Sequence, residues 1–170
     1  MIAAVVLAAG ASTRFGSPKQ AGLLEPVLAR VRSSAEIGDI VVVLGAHDVE
    51  STSHAVHCPD WQRGPGASLR CGLTALDDEA SAAVIVLADG PSLDPRAIDR
   101  VVAAWRETGA ARVAATYAGV RLHPLLLARS AWGDVPDEGL RGLPAELVPC
   151  DDLVPPGDVD FADDLDETDK

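Results

Sequence analysis

At 170 residues the chain is long enough for one well-packed domain and too short for two comfortable ones. Apolar residues make up 48% and aromatics only 4%, so the core has to be built from Ala, Val and Leu. A formal net charge of −12 excludes a general nucleic-acid binder, which needs a basic face, and a protein held on an anionic membrane surface.

Residues 2–7 form a continuous apolar run rich in β-branched side chains, the pattern of a strand buried on both faces. The opening MIAAVVLAAGAS imitates the small-residue end of a signal peptide. It lacks a basic leading region, however, and its apolar run is short, so a buried strand is expected. Residues 25–35 read as a helix with Val27, Leu28 and Val31 on one face, and residues 39–45 as a second buried strand. His54, His57 and Cys58 read as a polar surface helix running into a short strand rather than as a metal cluster, because fourth-ligand spacing is missing. Residues 67–76 place Leu69, Leu73 and Leu76 together at helical spacing, and residues 82–87 repeat the buried-strand pattern. Asp94-Pro95 is an N-cap and N1 pair opening a helix to residue 108 that aligns Ile98, Val101, Val102 and Trp105.

Residues 112–116 are a weaker strand, 117–121 a hairpin turn, 123–127 a returning strand and 146–149 an edge strand. Alternating strands and helices predict an α/β fold, a three-layer α/β/α domain with a mostly parallel sheet. A single domain is expected over residues 1–165, followed by an acidic tail at 166–170. Cys58, Cys71 and Cys150 are odd in number and widely spaced, which predicts no disulfide framework and a reducing compartment. No segment approaches membrane-spanning length, and a cytoplasmic location is expected.

The segment after the first strand, LAAGASTRFGSPKQ, is unusual in so acidic a chain. Gly10 and Gly16 allow close backbone approach, and exposed N–H groups can face anionic oxygens. Arg14 and Lys19 add two cations, one suited to bidentate phosphate contacts and the other a compact mobile charge. Together they describe a triphosphate or pyrophosphate cradle at the carboxyl end of a strand. Neither a P-loop nor G-x-G-x-x-G is present.

The pattern L-A-A-G-x-S-x-R-x-G-x-x-K over residues 7–19 resembles the signature loop of the MobA-like nucleotidyltransferases, and most resembles the molybdenum-cofactor cytidylyltransferase branch. The resemblance runs through nearly the whole chain. Pro59-Asp60-Trp61 with the segment 64–73 resembles N-P-x-W…G-x-x-S-L-x-x-G-L, and Leu87-Ala88-Asp89-Gly90-Pro91 resembles L-x-D-x-P. His123-Pro124 and Asp137-Glu138-Gly139-Leu140-Arg141 resemble the family's G-H-P and G-D-x-G-A-R segments. Asp158-Val159-Asp160 stands where the family has D-I-D-T-P-E-D-L. Two departures stand out. The segment 20–26 shortens the family's L-L-P-x-x-G-x-P-L-L stretch, and Phe161-Ala162 replaces the Thr-Pro after the second aspartate.

The resemblance implies a Rossmann-like nucleotide-diphospho-sugar transferase fold and an Mg²⁺-dependent transfer of CMP from CTP to a phosphorylated molybdopterin-type acceptor. It implies that Leu7, Ala8, Ala9, Gly10 and Ser12 hold base and ribose, that Gly66 and Ser68 lie near the base, and that Arg14 and Lys19 clamp the phosphates. Asp89 would bind Mg²⁺ with Asp160, or with Asp158 if the register slips, and Trp61 and His123 are candidate substrate contacts. His123 reads equally as a core histidine and Trp61 as packing. The L-A-A-G rather than L-A-G-G form favours cytosine over guanine, and a molybdoenzyme is the implied protein partner. Two other readings stay open on the same motifs: an NAD(P)H-dependent reductase of the nicotine blue oxidoreductase type, and a nucleotide-binding relative without catalysis.

Overall fold

The computed structural model describes residues 1–10, 20–46 and 51–157. Seven strands form one sheet: β1 (Ile2–Ala8), β2 (Ile37–Leu44), β3 (His54–His57), β4 (Ala82–Leu87), β5 (Arg112–Tyr117), β6 (Val120–Ala128) and β7 (Glu146–Pro149). Their spatial order is β3-β2-β1-β4-β6-β5-β7. Every pairing is parallel except those of β6, which runs antiparallel to β4 and β5. Among the described residues the α-helices are α1 (Gln20–Arg32), α2 (Pro65–Ala75) and α3 (Pro95–Thr108).

The sheet is the middle of three layers, as the alternation in the sequence predicts. Successive side chains of a strand point to opposite faces. Ile2, Ala4, Val6 and Ala8 of β1 therefore join Leu24, Val27, Leu28 and Val31 of α1 and Ile98, Val101 and Val102 of α3. Ala3, Val5 and Ala9 face the other way, onto Leu69, Leu73 and Leu76 of α2. Gly72 sets the second spacing: a Cβ there would lie 2.6 Å from Val5 Cγ1 and 2.8 Å from Val43 Cγ2, so only glycine lets α2 lie this close to β1 and β2.

Local chemistry explains most boundaries. Asp94 caps α3 by accepting the Arg96 N–H at 2.9 Å, Pro95 takes the first helical position, and Gly109 closes the helix with φ 67°. Ala118 and Gly119, with φ 50° and 80°, make the two-residue turn joining β5 to β6, the positive-φ geometry that matches strand twist.

Two expectations are corrected. The first helix starts at Gln20, not at Glu25, so the shortened segment forms the first turns of α1 and Pro26 lies inside it. Proline removes a helical hydrogen bond, yet the burial of Leu23, Leu24, Val27 and Leu28 outweighs that loss. The cysteine count also misleads. Cys58, just after β3, and Cys71, on α2, form a disulfide with their Cα atoms 5.8 Å apart, leaving Cys150 as the free cysteine. The odd total reflects one pair plus one buried thiol, and it carries no information on compartment. Among the described residues no helix is long and apolar enough to cross a membrane.

The chain beyond β7 is tied back to α3. Arg100 meets Asp152 through both guanidinium ends, at 2.6 and 2.7 Å. That hydrogen-bonded pairing holds the Asp152 carboxyl down at about 2, against the ordinary 3.8. The folded value lies below the unfolded one, so the contribution to stability is complete above about pH 4 and is lost as pH falls toward 2. Arg100→Ala is therefore expected to flatten the acid limb of a pH–stability curve followed by urea unfolding, through a loss at pH 7 that is small because the pair is exposed and that vanishes toward pH 2.

Candidate nucleotide cleft

The strand order reverses direction of growth at β1 and β4, which lie side by side while the chain leaves them toward opposite edges of the sheet, to β2 and to β5. Ligands of open α/β sheets collect beyond the carboxyl ends of the strands at such a point. Here that place is a cleft of about 360 Å³. Leu7, Ala9 and Gly10 enter it from the end of β1, Leu87 and Asp89 from the end of β4, and Trp61, Gln62, Gly64, Pro65 and Ser68 from the start of α2 and the 3-10 turn before it.

Each part is held from behind. Leu7 and Leu87 are register partners, and the Leu7 carbonyl accepts the Ala88 N–H at 3.0 Å, which fixes Asp89 beside the β1 end. The Ala9 carbonyl accepts the Ala46 N–H at 3.3 Å, so Ala9 is buried between the ends of β1 and β2 where it lines the cleft. Trp61 packs on Gly45, where a Cβ would come within 2.7 Å of its side chain. The disulfide closes a 13-residue span that contains Trp61, Gln62, Gly64, Pro65 and Ser68, one whole wall of the cleft. Cys71→Ser is expected to cost roughly 3 kcal/mol, from loop-closure entropy alone, and to leave Cys58 a buried thiol that reagents reach on unfolding. Unfolding of the variant beside the oxidised wild type measures this.

The loop at residues 135–141 braces the same wall. Asp137 receives Arg63 at 3.2 Å and also Arg70, whose other guanidinium end donates to the Val135 carbonyl at 2.7 Å. The Arg70 hydrogen bond, reinforced by the Arg63 charge, holds the Asp137 carboxyl below its ordinary value. The Asp137 carbonyl in turn accepts the Gly66 N–H at 2.9 Å.

The structure thus brings together Leu7, Ala9, Gly10, Trp61, Ser68 and Asp89 of the expected site residues. Ala8 is buried in the opposite layer, with α1 and α3. Gly66 is required by packing against the 135–141 loop. His123 lies in an adjoining cavity of about 400 Å³ that shares Leu7, Pro65 and Leu87 with the cleft, its ring against Gly90, the neighbour of Asp89. Ser12, Arg14, Lys19, Asp158 and Asp160 lie outside the described residues. Sequence reasoning did not single out Pro65, Gln62 or the Arg63–Arg70–Asp137 brace. Pro65 after Gly64 was a visible helix-start signal, whereas the brace joins positions 67 residues apart and has no local signature.

The seven-stranded, mostly parallel sheet with its helices is that of the nucleotidyltransferase fold. CMP-2-keto-3-deoxy-manno-octonic acid synthetase, solved in complex with CTP, superimposes with a TM-score of 0.77 at 11% identity, covering 98% of this chain and 95% of that one. Residues 4–143 match the MobA-like NTP transferase domain, and the chain belongs to that family. Among solved structures it is similar to Rv0371c from Mycobacterium tuberculosis H37Rv, at 27% identity and a TM-score of 0.80 over 98% of this chain and 96% of that one. Rv0371c has also been solved in complex with manganese. Among curated proteins this chain is 34% identical over 123 residues to the bifunctional protein GlmU of Cutibacterium acnes, a match covering 63% of this chain. The match spans only 29% of that protein's length.

Proposed function

We propose that the protein transfers a nucleoside monophosphate from a nucleoside triphosphate, CTP in preference to GTP, to a phosphorylated acceptor, releasing pyrophosphate. The carrying observation is the cleft at the β1 and β4 ends, which gathers Ala9 and Gly10 with Ser68 and Asp89. Gly10 leaves room for close backbone approach, and the Ala9 methyl takes up space a purine would need. The described lining carries no lysine or arginine, so the cationic part of the phosphate cradle is assigned to Arg14 and Lys19.

Asp89 is a hard oxygen donor at a strand end, which fits Mg²⁺, an ion usually held by one or two carboxylates plus substrate phosphates. Asp160, or Asp158, is the proposed second carboxylate. When bound, the metal supplies charge neutralisation at the phosphates and the departing pyrophosphate. The chain's own residues position the reactants: the Trp61–Ser68 wall holds the nucleoside, and the adjoining cavity aims the acceptor phosphate in line at the α-phosphorus. The manganese complex of Rv0371c supports a divalent ion here. A phosphorylated pterin, with a molybdoenzyme as the eventual recipient, is the first acceptor to test, and the cytoplasm is the proposed location.

The test is pyrophosphate release with molybdopterin as acceptor and CTP or GTP as donor, beside absorbance of NADH and NADPH. The reading expects CTP-dependent, Mg²⁺-dependent pyrophosphate and stable nicotinamide absorbance. Oxidation of NADH or NADPH without nucleotide turnover would replace it with the reductase reading.

A further inference from the structure

The adjoining cavity has a distinct chemical character. Its floor is aliphatic, built by Leu69 of α2, Ile85 and Leu87 of β4, Leu125 of β6, and Leu140 of the brace loop. Among the described residues, charged or titratable side chains reach it from only two places: Arg121 and His123 on β6, and Glu138 and Arg141 on the loop. Arg121 donates to the Leu140 carbonyl at 3.0 Å and the Leu143 carbonyl at 2.7 Å, so it fixes the loop that carries Leu140 and Arg141. Arg141 is exposed at the rim.

We infer that this cavity receives the acceptor as a phosphomonoester with an apolar body, its alkyl or aryl part on the leucine floor and its anionic end toward Arg141. The inference rests on the nucleotide reading of the neighbouring cleft. A sugar ring carries a hydroxyl on nearly every carbon, and each would leave water for an aliphatic floor that returns no hydrogen bond. An alkyl chain or the face of an aromatic ring forfeits nothing polar there, and it removes both its own surface and the leucines from water. About 400 Å³ is within the range of small-ligand pockets. Arginine at the rim of an acidic protein suits bidentate contact with phosphate. Leu7, Pro65 and Leu87 wall both spaces, so an acceptor seated here lies directly beside the cleft. In the transfer, an acceptor phosphate oxygen forms a bond to the α-phosphorus of the nucleotide. The bond from that phosphorus to the bridging oxygen breaks, and its electron pair leaves with pyrophosphate.

Calorimetric titration of the full chain with phenyl phosphate, ribose 5-phosphate and inorganic phosphate, and separately with CTP and Mg²⁺, tests this. Phenyl phosphate is expected to bind about tenfold or more tighter than either of the others. Arg141→Ala should weaken phenyl phosphate about tenfold while leaving CTP affinity within about twofold. Leu125→Asn, checked for folding by circular dichroism, should erase the preference for phenyl phosphate; Leu140→Asn, on the loop that closes the same floor, serves if the first does not fold. Ribose 5-phosphate binding as tightly as phenyl phosphate, or an unchanged affinity in Arg141→Ala, would overturn the inference and leave the nucleotide reading standing. Absence of CTP binding with the phenyl phosphate preference intact would overturn the nucleotide reading, and with it the cavity's role as acceptor site.

Discussion

Asp89→Asn is expected to lower metal-dependent nucleotidyl transfer by about 10²–10³-fold or more while leaving a folded protein. Asn keeps the size and most of the hydrogen-bonding capacity of Asp but loses the negative charge a hard cation needs. Asp89 follows β4 by two residues and is only partly buried, so its main loss falls on ligand binding rather than on the core. Stability should move by no more than about 0.5 kcal/mol, as for substitutions away from packed features. The sharper readout is thermal: CTP with Mg²⁺ should raise the wild-type melting temperature well beyond CTP alone, and the variant should lose that increment. A variant that keeps both the increment and the rate would mean that the metal is held elsewhere. One that unfolds would mean that Asp89 serves the turn before Gly90.

Gly66→Ala should be the most damaging added methyl among the described glycines. A Cβ at this position would lie 1.6 Å from the Pro136 carbonyl oxygen and 2.7 Å from its carbon, both backbone atoms that cannot rotate away. Either α2 lifts from the 135–141 loop or the loop moves, and both carry walls of the two cavities. Overpacking of this kind costs about 3 kcal/mol or more, which corresponds to roughly 6–12 °C in melting temperature for a chain of this size. Gly133→Ala is the control, since its Cβ would meet nothing within 4 Å. Equal stability of the two variants by thermal denaturation would contradict the close docking of α2 on the loop.

The contrast between these two positions shows what the sequence carries. β1, β2 and β4 are legible because strands buried on both faces read as unbroken apolar runs, and α3 because Asp94-Pro95 and Gly109 punctuate it. The start of α1 was obscured by Pro26, a local signal against helix that tertiary burial overrides. β3 carries exposed His54 and His57 at the sheet edge and has little apolar pattern to read. In the site, the glycine-rich end of β1 and the strand-end Asp89 are local features and were visible. The Arg63–Arg70–Asp137 brace and the Cys58–Cys71 bond depend on which elements become neighbours, which no short window contains. Gly66 illustrates the same limit: its glycine character was evident, but the reason for it lies in a loop far along the chain.

The central claim is that the cleft between the β1 and β4 ends holds a nucleoside triphosphate with a divalent ion at Asp89. The most direct measurement is a crystal grown with CTP and Mn²⁺, with diffraction recorded for the anomalous signal of manganese. The account predicts an anomalous peak against the Asp89 carboxylate, with nucleotide density running between Gly10 and the Trp61–Ser68 wall. Manganese and nucleotide bound away from Asp89, with this cleft empty, would contradict it.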